Sequence, residues 1–131
     1  TVNRTLAKTL HRMQSAYGTR GTDVIACIGP GISLDSFEVG DEVYEAFRTE
    51  NFPMEYISVW KPETHKYHID LWAANRLQLS DFGVPPRQIE NAGICTYRQH
   101  EDFFSARRLG IKTGRILSGI MLNGQEKGER K

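Results

Sequence analysis

Asp23-Val24-Ile25-Ala26-Cys27-Ile28-Gly29-Pro30-Gly31-Ile32-Ser33 does most to settle the fold class. Residues 23–28 form a short apolar run, the pattern of a buried strand. Gly-Pro-Gly does not continue such a strand: proline lacks the N–H that a ladder needs, and glycine weakens extended structure. The strand therefore ends in a tight loop over residues 29–33. Glycines in that loop let the backbone come close to a ligand, and backbone N–H groups there can cradle an anion. The competing reading is a turn that needs unusual dihedral angles and nothing else. A Walker-type phosphate loop is excluded, because no Lys followed by Ser or Thr completes it.

Upstream of this stretch, residues 3–17 read as an amphipathic helix, with Leu6, Leu10, Met13 and Tyr17 at helical spacing and Val2 one turn earlier. Asn3 is its expected N-cap and Gly18 its stop, before a turn over residues 18–21. Downstream, residues 41–47 predict a short helix with Val43, Ala46 and Phe47 on one side. The aromatic and β-branched run 56–60 predicts a strand. A second strong helix is expected over 70–82, with Asp70 as cap and Leu71, Ala74, Gln78, Leu79 and Phe82 on one face. Gly83 and Val84-Pro85-Pro86 end it. Residues 89–95 and 115–122 read as two more strands, separated by a polar, charged and aromatic stretch without a period. Helices and strands alternate, yet their connections vary, so the expected class is α+β or mixed α/β. The 131 residues suffice for one unit over 1–122, followed by a charged flexible tail over 123–131.

Seventeen basic residues against sixteen acidic give a formal charge of +1, which provides no global field to gather nucleic acid or an anionic membrane. No apolar stretch approaches the roughly 20 residues of a membrane span. The N-terminus lacks a signal core, so the expected compartment is cytoplasmic. Cys27 and Cys95 are too few for a disulfide framework and read as buried small apolar residues. Cys95 also stands shortly before an arginine-rich stretch, the setting of a stabilised thiolate.

That stretch contains the candidate anion ligands Arg107 and Arg108, with Lys112 and Arg115 nearby. Guanidinium groups bind phosphate and carboxylate bidentately, and Phe103 and Phe104 are expected to anchor the segment in the core. Solvated arginines, or arginines paired with Glu101 and Asp102, are the alternative. His65 and His68 would share a helical face, but Pro62 upstream argues for an extended or turning segment. With no third ligand at an obvious spacing, no metal site is expected there. His11 is packed or solvated within its helix, and His100 is an acid–base candidate only if the fold brings it to a cleft. No catalytic triad can be read from the residue order.

Four motifs in sequence carry a resemblance. Ile28-Gly29-Pro30-Gly31-Ile32-Ser33 precedes Phe37-Glu38-Val39-Gly40. Ile69-Asp70-Leu71-Trp72 is followed by Asn75 and by Gln78-Leu79. Cys95-Thr96 leads to Phe103-Phe104-Ser105-Ala106-Arg107-Arg108, and Thr113-Gly114-Arg115 closes the series. Their order and spacing resemble the C-terminal half of the laccase-domain family, also described as polyphenol oxidases and purine nucleoside phosphorylases. The family loop usually has Cys where Gly31 stands. The resemblance implies phosphorolysis of purine nucleosides (adenosine, inosine, guanosine and methylthioadenosine), with adenosine deamination in some members. It implies zinc, with copper and phenol oxidation as the alternative. The three metal ligands are expected upstream of residue 1, so the chain itself is expected to hold none. A non-catalytic fragment that associates with itself through the surface left by a missing half is a further reading. Laid over the family motifs, Arg107, Arg108 and Arg115 are the expected anion or wall contacts, and Gly29 and Gly31 the points of close backbone approach. The expected partners are a purine nucleoside and phosphate.

Overall fold

The computed structural model describes residues 1–124. Helix α1, Thr5–Tyr17, buries Leu10 and ends at Gly18, whose φ of 67° lets its N–H return to the Gln14 carbonyl. Its start differs from expectation. Arg4, at φ 53°, occupies the cap position, and no side chain caps the helix. Tyr17, expected on the packed face, is exposed because the helix outruns the body it packs on.

Strand β1, Ala26–Ile28, pairs in parallel with β5, Ile89–Asn91, in the register Ala26 to Ile89 and Ile28 to Asn91. An isolated parallel bridge, Gly31 to Cys95, continues that alignment past the loop. The strand is not buried as expected. Ile25 is 67% exposed and Cys27 is also exposed, because only one face of this sheet meets the body of the protein.

A second, antiparallel sheet has the order β2-β4-β3, from Glu38–Val39, Lys66–Ile69 and Ser58–Lys61. Between β2 and β3 lie α2, Asp41–Thr49, and the single turn α3, Met54–Ile57. Tyr56 and Ile57 are thus helical rather than extended: Pro53 starts the turn by accepting the N–H groups of Tyr56 and Ile57. In α2, Val43 and Phe47 face inward as expected, while Ala46 is exposed and Tyr44 packs on the core instead. β4 has no counterpart among the expected strands. It returns on β3 through a turn in which His65 takes a φ of 51°, so His65 and His68 do not share a helical face.

Helix α4, Leu71–Phe82, joins the two halves of the core. Asp70 caps it by accepting the Ala73 N–H at 2.9 Å, and Gly83 closes it at φ 99°. Ala74 belongs to a cluster with Val39, Phe47, Phe52, Met54, Ile57 and Ile69. One turn on, Leu79 packs with Leu10, Val84 and Ile89 in a second cluster. Gln78 ties α4 to α1 from inside: its Oε1 accepts the Ala7 N–H at 3.1 Å. Gly21 passes so close to Gly83 that a Cβ there would collide with the Gly83 carbonyl.

After β5 the chain forms one further short helix, α5, Ala106–Leu109, capped by Ser105. The strand expected over 115–122 is absent. Those residues are irregular, and Leu117, Ile120, Met121 and Leu122 are exposed, since no sheet edge among the described residues runs beside them. Of the charged tail expected over 123–131, residues 125–131 lie outside the described residues. No helix of the described residues is long and apolar enough to cross a membrane.

Candidate functional site

The α1–β1–α4 junction leaves a cavity of about 620 Å³. Leu6 and Leu10 line it from α1, and Leu71, Trp72, Asn75 and Leu79 from α4. The loop Gly29–Pro30–Gly31 forms another wall, and Ser118–Ile120 closes one side. The loop follows directly on β1, and the chain from Val24 to Ile28 lines the same space.

Gly29 and Gly31 both line the cavity, as the sequence suggested, but Gly31 does so without offering its amide. Its N–H donates to the Ile94 carbonyl at 3.1 Å, and its carbonyl accepts from Thr96 at 3.2 Å. What Gly31 contributes is room. A Cβ there would lie 3.4 Å from the indole nitrogen of Trp72. At Gly29 a Cβ would come within 3.1 Å of Ser118 Oγ, so the loop and the irregular C-terminal segment are in close contact.

The Trp72 indole N–H is buried and has no hydrogen-bond partner among the described residues. An unpaired donor of this kind costs about 1–3 kcal/mol when shielded from water. Here it stands in the cavity wall beside Gly31, a position from which an incoming acceptor can satisfy it. In the sequence Trp72 stands out only as the end of the family-like Ile69–Trp72 motif, with no role of its own assigned to it.

The expected anion ligands stand elsewhere. Arg107 lies over the Phe37 ring at 5.1 Å and donates to the Glu38 carbonyl at 2.8 Å. Arg108 lies over the Tyr97 ring at 4.9 Å. Arg115 is curled back on its own segment, donating to the carbonyls of Ile111, Thr113 and Gly114. None of the three is among the described residues lining the cavity. Phe104, expected in the core with Phe103, is more than half exposed.

Cys95 is buried, as expected, and is held in a nest of donors. Ser33 gives it both its backbone N–H, at 3.3 Å, and its hydroxyl, at 3.1 Å. Burial pushes the thiol up, but the Ser33 bonds, the Arg98 backbone N–H and the Ser36 hydroxyl outweigh it and bring it down to about 7. The arginine charges suspected from the sequence are not the cause. His68 is 4% exposed; its Nδ1 meets the Leu34 carbonyl at 2.9 Å and its Nε2 is buried without a partner among the described residues. Because a carbonyl only accepts, Nδ1 carries a proton. His11 is exposed and edges against Phe82. Among the described residues, no three His, Cys, Asp or Glu side chains converge to hold a metal ion.

A parallel pair ending in a Gly-Pro-Gly loop, an antiparallel three-stranded sheet and a helix shared by both cores define a mixed α+β class with an apolar cavity at its junction. The family model described as "Multi-copper polyphenol oxidoreductase laccase" matches residues 1–123, and the chain belongs to this laccase-domain family. It is 63% identical over 123 residues to a purine nucleoside phosphorylase of Bacteroides thetaiotaomicron, a match covering 94% of this chain and 46% of the relative. It is 46% identical over 120 residues to adenosine deaminase RL5 of an unknown prokaryotic organism, covering 92% of this chain and 45% of that protein. Among solved structures, the Bacillus licheniformis hypothetical protein YfiH superposes with a TM-score of 0.69 at 29% identity, covering 78% of this chain and 38% of that one. The chain thus spans about half the length of the curated relatives it matches.

Proposed function

We propose that this chain forms part of a purine nucleoside phosphorylase that accepts adenosine, inosine, guanosine and methylthioadenosine and has adenosine deaminase activity. The observation that carries the reading is the 63% identity to the Bacteroides purine nucleoside phosphorylase over 94% of the chain. The cavity supports it. Its volume of about 620 Å³ is in the range of small-molecule sites, and its walls are mainly apolar with a few polar groups, as a planar purine requires. The indole of Trp72 offers the base an aromatic neighbour, and its free N–H offers a ring nitrogen or carbonyl a donor.

In phosphorolysis a phosphate oxygen bonds to C1′ as the glycosidic bond breaks. The bonding pair leaves with the purine nitrogen, which takes up a proton, and ribose 1-phosphate is released. The apolar walls would keep water from competing for C1′. Arg107, Arg108 and Arg115 remain the proposed anion contacts. Arg115 is joined to the cavity through Ser118, three residues on, which touches the Gly29 loop. To meet phosphate, Arg115 must give up the three carbonyls it now holds. Zinc, with copper as the alternative, is the proposed metal, with ligands proposed to come from outside this chain, since among the described residues no three His, Cys, Asp or Glu side chains group together. Free thiols at Cys27 and Cys95 suit a cytoplasmic setting.

The deaminase activity is supported by the likeness to adenosine deaminase RL5, and copper-dependent phenol oxidation by the family description. One assay separates the readings. The chain, joined to the portion of the Bacteroides relative that it does not match, is incubated in parallel with inosine, with adenosine, each with and without phosphate, and with a phenol under oxygen; nucleosides and free bases are measured by chromatography and oxygen by electrode. Release that depends on phosphate is the expected result. Conversion of adenosine to inosine without release of base would leave only the deaminase, and oxygen uptake with phenols alone would favour the oxidase.

A further inference from the structure

The cavity wall made by Gly29, Pro30, Gly31 and Ile32 is held along its length by residues 92–96. Ahead of the loop, the Ile28 carbonyl accepts the Ala92 N–H at 2.9 Å. In its middle, Gly31 bonds to the backbone of Ile94 and Thr96 across the bridge to Cys95. At its far end the hold is a side chain. The Cys95 sulfur accepts the Ser33 N–H at 3.3 Å and the Ser33 hydroxyl at 3.1 Å. Ser33 in turn begins the single turn Leu34–Ser36, its carbonyl accepting the N–H groups of Ser36 at 3.1 Å and Phe37 at 3.0 Å. Ser33 is thus the joint between the cavity loop and the body of the protein, and Cys95 fixes the joint. Neither residue lines the cavity, so whatever they do to a ligand they do through the loop.

The hold depends on the charge of the sulfur. Besides Ser33, the Ser36 hydroxyl stands 3.7 Å from it, and the Arg98 N–H is directed at it. A thiolate accepts from all these donors, and bonds to an ionised acceptor are about twice as strong as neutral ones. A neutral thiol brings a proton of its own, which has only the Ser36 oxygen to go to, and Ser36 then cannot donate in return. We propose that Cys95 is a positioning residue: its thiolate clasps Ser33 and holds the Gly29–Ile32 wall in place, and protonation loosens that wall. The thiol stands at about 7, so both forms are populated near neutral pH. The charged groups around the clasp are few. Asp35, on the same turn as Ser36, is paired with Lys61 and Arg98, which hold its carboxyl below the ordinary value, so it keeps its charge throughout. His68 reaches the turn through the Leu34 carbonyl. For its ligand the proposal rests on the nucleoside reading of the cavity; the clasp itself does not, and the two are tested apart.

The full chain carrying Cys27→Ser, with Cys95 as its one remaining thiol, is titrated through neutral pH. Ultraviolet absorbance follows the thiolate, and NMR follows the amides of Gly29, Gly31, Ile32 and Ser33. These amides should shift together at the thiolate midpoint, while those of α2 do not, and the loop shifts should vanish in Cys95→Ser. Inosine then probes the cavity in the same background, with the chain completed by the unmatched portion of the Bacteroides relative. Calorimetry without phosphate should find it bound about tenfold more weakly at pH 6 than at pH 8, the worth of one hydrogen bond. That dependence should be lost in Cys95→Ser; Asp35 and His68 are present in both proteins, so the difference belongs to Cys95. Ser33→Ala keeps the thiol and removes one donor, and serves where Cys95→Ser does not fold: it should raise the thiolate midpoint and weaken inosine at pH 8. Loop amides that ignore the thiolate titration, or one pH dependence of inosine binding with and without Cys95, would overturn the proposal. Loop amides that track the thiolate in a protein that binds no inosine at any pH would sink the nucleoside reading and leave the clasp standing.

Discussion

Substituting Cys95 by serine in a Cys27→Ser background should abolish a specific pH dependence of folding stability. In the folded chain the Cys95 thiol stands at about 7, against an ordinary value of 9.0. Burial opposes ionisation, while the two Ser33 bonds, the Arg98 amide and the Ser36 hydroxyl favour it more strongly. A depressed value means that the fold prefers the thiolate. The stability it contributes is therefore complete above about pH 9, falls as the pH drops, and is gone below about pH 7. At about 1.4 kcal/mol per pH unit, the whole span is worth roughly 2–3 kcal/mol. Urea unfolding between pH 6 and 10 measures it. With Cys95 present, the free energy of unfolding should climb across this window. In the Cys95→Ser variant, that part of the climb should vanish. A flat profile with Cys95 present, or an equal climb without it, would show that the Ser33 nest does not hold a thiolate. Thiolate ultraviolet absorbance of the same Cys27→Ser protein locates the titration independently.

Three further outcomes follow from the packing and the cavity. Gly21→Ala should destabilise the chain by at least about 1–3 kcal/mol, seen as a lowered Tm, because the new Cβ meets Gly83 backbone that has no flexible end to move. Gln78→Leu should cost about 1–3 kcal/mol in urea unfolding despite its apolar surroundings, since it strands the Ala7 N–H that Gln78 now satisfies. Trp72→Phe removes the free indole donor and keeps an aromatic wall. In the completed protein it should raise KM for inosine up to about tenfold with little change in Tm, the worth of one hydrogen bond.

Much of the helical framework is legible in the sequence because its signals are local. Asp70 and Gly83 bracket α4, and Gly18 ends α1, through contacts within a turn of their own position. The Gly-Pro-Gly loop stands where its residues predict, at the end of β1, and both glycines line the cavity. The strands are harder to read, because a strand is defined by what runs beside it. The run 115–122 has the residue types of a strand, yet no edge among the described residues pairs with it. β4 has Lys, Tyr and His in a four-residue span, and its strand character comes from being flanked by β2 and β3. The expectation of burial fails for the same reason at Cys27, whose outer face lacks a covering layer. At the site, the arginines are conspicuous by charge, whereas Trp72 and the Cys95 nest depend on long-range contacts, Gly31 in one case and Ser33 in the other. No periodicity in the chain announces either.

The most direct test of the nucleoside reading is to map inosine and phosphate on the completed protein by the NMR shifts of its backbone amides and methyl groups. Inosine should perturb Leu6, Leu71, the Trp72 indole N–H and the Gly29–Gly31 loop together, and saturably, with phosphate adding shifts at Arg115 and its neighbours. Perturbations confined to the Arg107–Arg108 segment, with the cavity residues unmoved, would contradict a purine site at the α1–β1–α4 junction.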